Sequence, residues 1–249
     1  MVIDPVAFDY TAACAPVRDD IQDAQRAFFE HLRRPGTWWS GAERIALAAE
    51  SRRAVDCGLC RRRKEALSPT AVDGAHDTLG DLLPLVVDVV HRVRTDSGRL
   101  SRAWFDTVIA GGVSIPRYVE LVGVVAMLAG VDAFTRALGI APFPLPAPLD
   151  GAPSGALPRA AKPGVAWVPL IAPADASDEP DLYPADVFVP NIMRALSLVP
   201  SEARMLQQMS AAHYMPIDRI PDVTFRRTLD RTQIELVAAR VSALNQCFY

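Results

Sequence analysis

Apolar residues recur every three to four positions along most of the chain, and no stretch alternates apolar and polar residues as a half-buried strand does. This periodicity is typical of amphipathic helices. It predicts helices over 16–34, 44–57, 77–95, 99–110, 116–139, 191–214 and 230–247. The sequence therefore predicts an all-α protein.

Local signals refine three of these helices. Ser40 followed by Glu43 is a capping-box pattern, which predicts a helix that begins directly after Ser40. In the third helix, the spacing places Leu79, Leu82 and Leu83 on the buried side. The longest helix carries Glu120 among apolar residues, so its charge needs a partner, and we expect a structural ion pair.

Proline divides the chain. Thirteen of the 21 prolines lie between Pro142 and Pro200, where missing backbone donors prevent long helices. We interpret 142–185 as an extended, proline-rich linker that docks in part through Trp167 and Tyr183. The predicted organisation is thus a helical region over 1–141, the linker, and a second helical region over 186–249.

Composition narrows the class of protein. Apolar residues make up 50% of the 249 positions and charged residues 22%, which is typical of a globular chain. The net charge of −3 argues against nucleic acid or an anionic membrane as a partner. The apolar run at 121–131 is shorter than the roughly 20 residues that a membrane span needs, and no secretory signal is visible. We expect a soluble, cytoplasmic protein.

The strongest local signal is the sequence CGLC, which contains Cys57 and Cys60. At a helix start, this spacing brings two sulfurs close together, and the exposed N–H groups and the helix dipole lower the pKa of a thiol. The basic run from Arg61 to Lys64 favours the same ionisation. The pattern indicates a thiol redox centre, with one nucleophilic cysteine and one that resolves its sulfenic acid.

Two other interpretations of the pair stay open. A structural zinc site needs four ligands, and the sequence holds only one such pair, with Cys14 isolated from it. Alternatively, Cys57 and Cys60 are two ordinary buried cysteines in a core. The four cysteines are too few and too scattered for a disulfide scaffold, so we expect reduced thiols.

Histidines and carboxylates near the pair are further candidates. His76 lies at a predicted helix start and is the better acid–base candidate, whereas His91, on a valine-rich helix, is interpreted as a packed core residue. Glu43, Glu50 and Cys57 are seven residues apart and share a helical face. Glu50 could orient or deprotonate a thiol, but an exposed carboxylate is the interpretation that we favour.

Three stretches together resemble the AhpD-like alkylhydroperoxidase and carboxymuconolactone decarboxylase superfamily. The first is AERIALAAESRRAVDCGLC, at 42–60, and the second runs from Arg99 to Ile140 with a long apolar helix. The third, LDRTQIELVAARVSALNQCFY at 229–249, is similar to a second copy of the first. The resemblance covers about 37–140 and 186–249, as one repeat and the front half of another. It is closest to the two-repeat alkylhydroperoxidase-related group, some of whose members are selenoproteins.

The resemblance implies an AhpD-like helical bundle and a thiol peroxidase, with Cys60 as the attacking thiolate and Cys57 as the resolving cysteine. In the family pattern, Cys-x-x-Cys begins twelve positions after a Glu, and a His lies four positions after the second Cys. Glu235 stands twelve residues before Cys247 and fits the pattern. In the first repeat, by contrast, Lys64 takes the position of the histidine, and Ile45 takes that of the glutamate.

The predicted catalytic set consists of Cys60, Cys57, Lys64, Glu235, Cys247 and His76. The resemblance implies a small hydroperoxide as substrate and an external dithiol or thioredoxin-like protein as reductant. No flavin or nicotinamide fingerprint is visible, so no cofactor is expected, and no metal either. We also expect a homo-oligomer, because a half repeat leaves apolar residues such as Leu236 and Val237 uncovered.

The main alternative is a catalytically degenerate module of the same fold that serves assembly or binding. Its motivation is the replacement of the family histidine and glutamate by Lys64 and Ile45. A decarboxylase ranks third, since no residues indicate a lactone site.

The stretch ALNQCFY raises a separate expectation. If Cys247 opens a second Cys-x-x-Cys, the attacking position would follow Tyr249 directly. We expect a selenocysteine codon there, because UGA is read as a stop and a selenol suits a peroxide-attacking site. The alternatives are an artificial boundary and a natural end with an unpaired Cys247.

Overall fold

The computed structural model describes residues 8–245 and 247. Helices make up 54% of the chain and strands 2%, so the predicted all-α class is confirmed. The α-helices are α1 (Asp19–Arg33), α2 (Gly41–Ala54), α3 (Gly58–Glu65), α4 (Pro84–Asp96), α5 (Arg102–Ala110), α6 (Ile115–Ala137), α7 (Asn191–Arg194), α8 (Pro200–His213) and α9 (Arg231–Leu244). Short 3₁₀ helices lie at Pro69–Ala71, Ser97–Arg99, Pro173–Asp178 and Ile217–Arg219. Two two-residue strands, β1 (Ala161–Lys162) and β2 (Leu170–Ile171), pair antiparallel.

The capping box at the start of α2 is present as predicted. The backbone N–H of Glu43 donates to Ser40 Oγ, and the Glu43 carboxylate accepts from the backbone N–H of Ser40 at 2.8 Å. These two hydrogen bonds satisfy N–H groups that the first turn of a helix leaves without partners. They fix where α2 begins.

Prolines shift two of the predicted helices. The helix predicted over 77–95 begins only at Pro84, since proline favours the first helical position. Leu79 and Leu83 therefore lie outside it and are 51% and 74% exposed, so their predicted burial is wrong. The helix predicted over 191–214 is also divided, because Pro200 begins α8 after a separate short α7.

The core forms around α6. This helix packs against α2, α4 and α8, while α1 packs against α2 and α8. α6 is long and apolar enough to cross a membrane, but 67% of its most apolar 18-residue window is buried in this fold. That burial is typical of a core helix.

The proline-rich linker also contributes to the core. Phe143, Ile171 and Leu182 are buried in the core. The ring centres of Trp167 and Phe105 are 5.8 Å apart. The Tyr183 hydroxyl donates to the backbone carbonyl of Ile171 at 3.0 Å. Helices on both sides of the linker share one core, since α8 packs on α1 and α6. The division into repeats stays a prediction.

A buried ion cluster joins three of these helices. Arg44 on α2 contacts Glu120 on α6 at 2.5 Å and Glu202 on α8 at 2.7 Å, and all three side chains are fully buried. His31 Nε2 lies 2.7 Å from the same Glu202 oxygen. Burial opposes the charge of Glu202, but Arg44 and His31 outweigh it and lower the pKa of Glu202 to about 2. The expected structural pairing of Glu120 is thus observed.

Candidate thiol and histidine site

The two cysteines lie where the chain turns from α2 into α3. Cys57 is the residue before the first turn of α3, and Cys60 lies within that turn. Both side chains are buried, with residue exposures of 1% and 5%. The three-residue spacing at a helix start brings the two sulfurs within 4.8 Å of each other.

Two histidines approach the sulfurs from other elements. His91, on α4, places Nδ1 3.2 Å from Cys60 Sγ. His76, in the extended segment before α4, places Nδ1 3.6 Å from Sγ of both Cys57 and Cys60. The centres of the two imidazole rings are 4.3 Å apart. The four side chains form one compact cluster.

A carboxylate lies behind each histidine. Glu50 Oε1, on α2, is 2.7 Å from His91 Nε2, and Asp88 Oδ1, on α4, is 3.0 Å from His76 Nε2. An ionised carboxylate only accepts hydrogen bonds, so we assign the ring proton to Nε2 in both histidines. In a neutral ring, the lone pair of Nδ1 then faces the sulfurs and can accept a thiol proton.

Glu50 also fixes the segment that carries His76. Its Oε2 atom accepts hydrogen bonds from the Thr78 hydroxyl at 3.1 Å and from the backbone N–H of Leu79 at 3.0 Å. Glu50 is 1% exposed, so the preferred interpretation of an exposed carboxylate is wrong. One buried carboxylate thus holds both sides of the cysteine pair.

Burial and hydrogen bonding set the charges in the cluster. Burial opposes a charge on His76, but the hydrogen bonds that the charged ring donates to Asp88 and to both sulfurs outweigh it and raise the pKa of His76 to about 10. Burial lowers the pKa of His91 despite the hydrogen bond to Glu50. Burial alone would raise the pKa of Cys57, but backbone N–H groups and His76 lower it below its usual range. The cluster favours an imidazolium beside a thiolate.

A cavity of about 500 Å³ opens at the cysteine pair. It is lined by Val55, Asp56, Cys57, Cys60, Arg61, Lys64, Glu65, Arg94, Thr95 and Arg136. The lining contains four cationic side chains, Arg61, Lys64, Arg94 and Arg136. Among the residues that the structure describes, none of these four has an ion-pair partner within 4 Å. Arg94 Nε is buried and has no hydrogen-bond partner there. The cavity is therefore positively charged and leads to the sulfurs.

Three of the six predicted site residues meet in this cluster. Cys57, Cys60 and His76 are together, and Lys64 is an exposed residue of the cavity wall. Glu235 lies on α9, where it accepts from the Tyr214 hydroxyl at 2.7 Å, and Cys247 is exposed. The cavity lining, taken over the described part of the chain, includes neither of the last two.

His91 and Glu50 were not among the predicted site residues. His91 is buried as expected of a core histidine, but it contacts Cys60 and Glu50 instead of only apolar side chains. The available signal was that His91 shares the buried face of α4 with Val87 and Val90. A polar group on a buried face needs a hydrogen-bond partner. For Glu50, the signal was its seven-residue spacing from Cys57.

Comparisons with protein-family models, with curated proteins and with solved structures found no match to this chain. The chemistry that we assign to the site therefore rests on the arrangement of its own side chains.

Proposed function

We propose that the protein is a thiol-dependent, peroxidase-like oxidoreductase with an AhpD-like helical arrangement. The observation that carries this proposal is the chain of contacts from Cys60 Sγ to His91 Nδ1, 3.2 Å, and from His91 Nε2 to Glu50, 2.7 Å. A nucleophile, a base and a group that orients the base are the parts that activate a thiol.

The first step oxidises Cys60. The thiol proton passes to His91 Nδ1, and Glu50 stabilises the resulting imidazolium. The Cys60 thiolate attacks one peroxide oxygen, the O–O bond breaks, and Cys60 becomes a sulfenic acid. The departing alkoxide takes the proton back from His91 and leaves as an alcohol.

The second step closes a disulfide. The Cys57 thiolate attacks the sulfenic sulfur of Cys60, and the hydroxide leaves as water with a proton from His76. The two sulfurs and one ring nitrogen each of His76 and His91 all lie within 4.8 Å of one another, which supports this order of events. A dithiol or thioredoxin-like protein then reduces the disulfide by exchange and is itself oxidised.

The cavity supports a substrate that carries an anionic group. Arg61, Lys64, Arg94 and Arg136 surround the approach to the cysteines, against the acidic side chains of Asp56 and Glu65. The excess of cations attracts anions and raises their local concentration. We propose that the substrates are small organic hydroperoxides that carry a carboxylate or a similar anionic group.

Glu50 and His91 weaken the case for a non-catalytic module. That alternative depended on Lys64 and Ile45 at the family's histidine and glutamate positions. A carboxylate and an imidazole reach Cys60 from α2 and α4 instead. This supports a peroxidase in which the acid–base groups come from different sequence positions.

The test is hydroperoxide consumption by the metal-free protein with a dithiol donor. We expect the wild-type protein to consume peroxide, to form a Cys57–Cys60 disulfide by mass spectrometry, and to lose both properties in Cys60→Ser. Cys14→Ser is the matched control, because Cys14 is exposed and lies outside the cluster. Unchanged turnover in Cys60→Ser would contradict the proposal.

A further inference from the structure

Four side chains in the cysteine cluster have the chemistry and the spacing of a metal site. Cys57, Cys60, His76 and His91 each offer one ligand atom, and these four atoms lie within 4.8 Å of one another. Zinc bonds of about 2.3 Å to sulfur and about 2.0–2.1 Å to nitrogen place a sulfur and a nitrogen about 3.6 Å apart at a tetrahedral angle. The three sulfur–nitrogen separations in the structure are 3.6 Å (Cys57–His76), 3.6 Å (Cys60–His76) and 3.2 Å (Cys60–His91).

The surroundings of the two histidines support the same assignment. A histidine that binds a metal through one ring nitrogen usually donates its other N–H to a carboxylate, which fixes its orientation. Glu50 and Asp88 occupy that position behind His91 and His76. Both Nδ1 atoms are thereby directed at the sulfurs.

The charge and the ligand types favour zinc. Two thiolates and two neutral imidazoles carry a charge of −2, which a divalent cation neutralises in a buried place where an uncompensated charge is costly. A tetrahedral set of two sulfurs and two nitrogens suits Zn²⁺, whereas magnesium and calcium prefer oxygen ligands. We infer that the reduced protein binds one Zn²⁺ at Cys57, Cys60, His76 and His91.

This site answers the objection that the sequence raised against zinc. The two further ligands come from the segment before α4 and from α4 itself, not from a second cysteine pair. Because the protein supplies all four ligands, the ion has no open position for a substrate. It links α3, the His76 segment and α4, so it stabilises the fold around the cysteines.

Zinc binding and thiol chemistry exclude each other, a consequence that rests on the proposed function. The electron pairs of Cys57 and Cys60 that would attack a peroxide are the same pairs that bind the ion. In the zinc form the thiolates are therefore protected. In the metal-free form, a hydroperoxide accepts two electrons and two protons to give alcohol and water, and the two thiolates become a disulfide that can no longer bind Zn²⁺.

The binding test uses protein purified in reduced form without oxygen. We expect about one zinc per chain by elemental analysis, and on replacement by Co²⁺ the visible and thiolate charge-transfer bands of a tetrahedral site. Cys57→Ser, Cys60→Ser, His76→Asn and His91→Asn should each lose these bands. Circular dichroism of each metal-free variant shows whether its helices remain.

Two further variants separate a metal ligand from a merely structural residue. The double variant Cys14→Ser with Cys247→Ser is the control and should keep the full cobalt spectrum, since both thiols are exposed and outside the cluster. Asp88→Asn should keep the tetrahedral bands but bind about 10–100-fold more weakly. Trace zinc with an octahedral cobalt spectrum, or binding that survives in His76→Asn, would overturn the site.

Peroxide consumption measured on the metal-free and zinc-loaded protein distinguishes the two proposals. Activity in the metal-free form and its loss on zinc loading support both. Stoichiometric zinc with no activity in either form overturns the peroxidase and leaves the zinc site. Activity in the metal-free form with no zinc binding overturns the zinc site and leaves the peroxidase.

Discussion

Glu50 Oε1 lies 2.7 Å from His91 Nε2, with side-chain exposures of 1% and 0% for the two residues. This contact joins α2 to α4 and orients the imidazole that faces Cys60. Because the contact is buried, water cannot replace the carboxylate once it is lost.

The substitution Glu50→Gln should slow peroxide consumption. A glutamine can still hydrogen bond to His91, but it cannot stabilise the imidazolium that forms when Cys60 loses its proton. We expect kcat/KM to fall by about 10²-fold, as for the loss of a general acid–base group. Glu30→Gln is the control, because Glu30 pairs with Arg34 on the surface, and it should leave the rate unchanged. Equal rates in Glu50→Gln and Glu30→Gln would contradict the proposed role of Glu50 in stabilising the His91 imidazolium.

The substitution Arg94→Gln should weaken the binding of anionic substrates. A hydrogen bond to a charged group contributes about 1.5–3 kcal/mol, so we expect KM for a hydroperoxide with a carboxylate to rise about tenfold or more. A neutral hydroperoxide should keep its KM, and kcat should change little for either. Arg240→Gln, on the exposed face of α9, is the control. A parallel loss for both substrates would argue against charge recognition.

The substitution Arg44→Met should strongly destabilise the fold. Glu120 and Glu202 would remain buried without their cation, and removing one partner of a buried ion pair costs about 3–5 kcal/mol. Urea unfolding followed by circular dichroism measures the loss. Arg34→Met removes an exposed ion pair with Glu30 and should change the free energy of unfolding by at most about 1 kcal/mol.

Gly36 lies against the same buried ion cluster. A Cβ atom at this position would overlap Glu120 Oε1 and lie 2.6 Å from an Arg44 guanidinium nitrogen. We expect Gly36→Ala to reduce the free energy of unfolding by about 1–3 kcal/mol, as overpacking does. Gly130→Ala is the opposite case, since Gly130 is an exposed residue of α6 with nothing within 4 Å, and it should stabilise the protein by about 0.5–1 kcal/mol. Comparable effects would contradict a specific clash at Gly36.

Local patterns predicted the helices well where one residue type fixes a boundary. Ser40 and Glu43 fix the start of α2 through hydrogen bonds between neighbours in sequence. Before α4 the apolar spacing alone was misleading. Pro84 suits the first turn of a helix, and Gly80 has a φ of 89°, outside the helical region, so the leucines between them stay outside α4.

The candidate site was only partly predictable for a similar reason. Cys57 and Cys60 are neighbours in sequence, so their proximity follows from local geometry. Glu50 and His91 are 41 residues apart, and they meet only because α2 packs against α4. Periodicity shows that each of these helices buries one face, but it does not specify which faces meet.

The docked linker has a consequence for a cleaved chain. Residues 151–157 are exposed, yet α8 beyond them packs on α1 and α6, and Glu202 pairs with Arg44 in the interior. A protease cut within 151–157 should therefore leave two fragments that stay associated without a covalent link. The same fragments, produced as separate polypeptides, should reconstitute the fold by complementation, in the way that split proteins do.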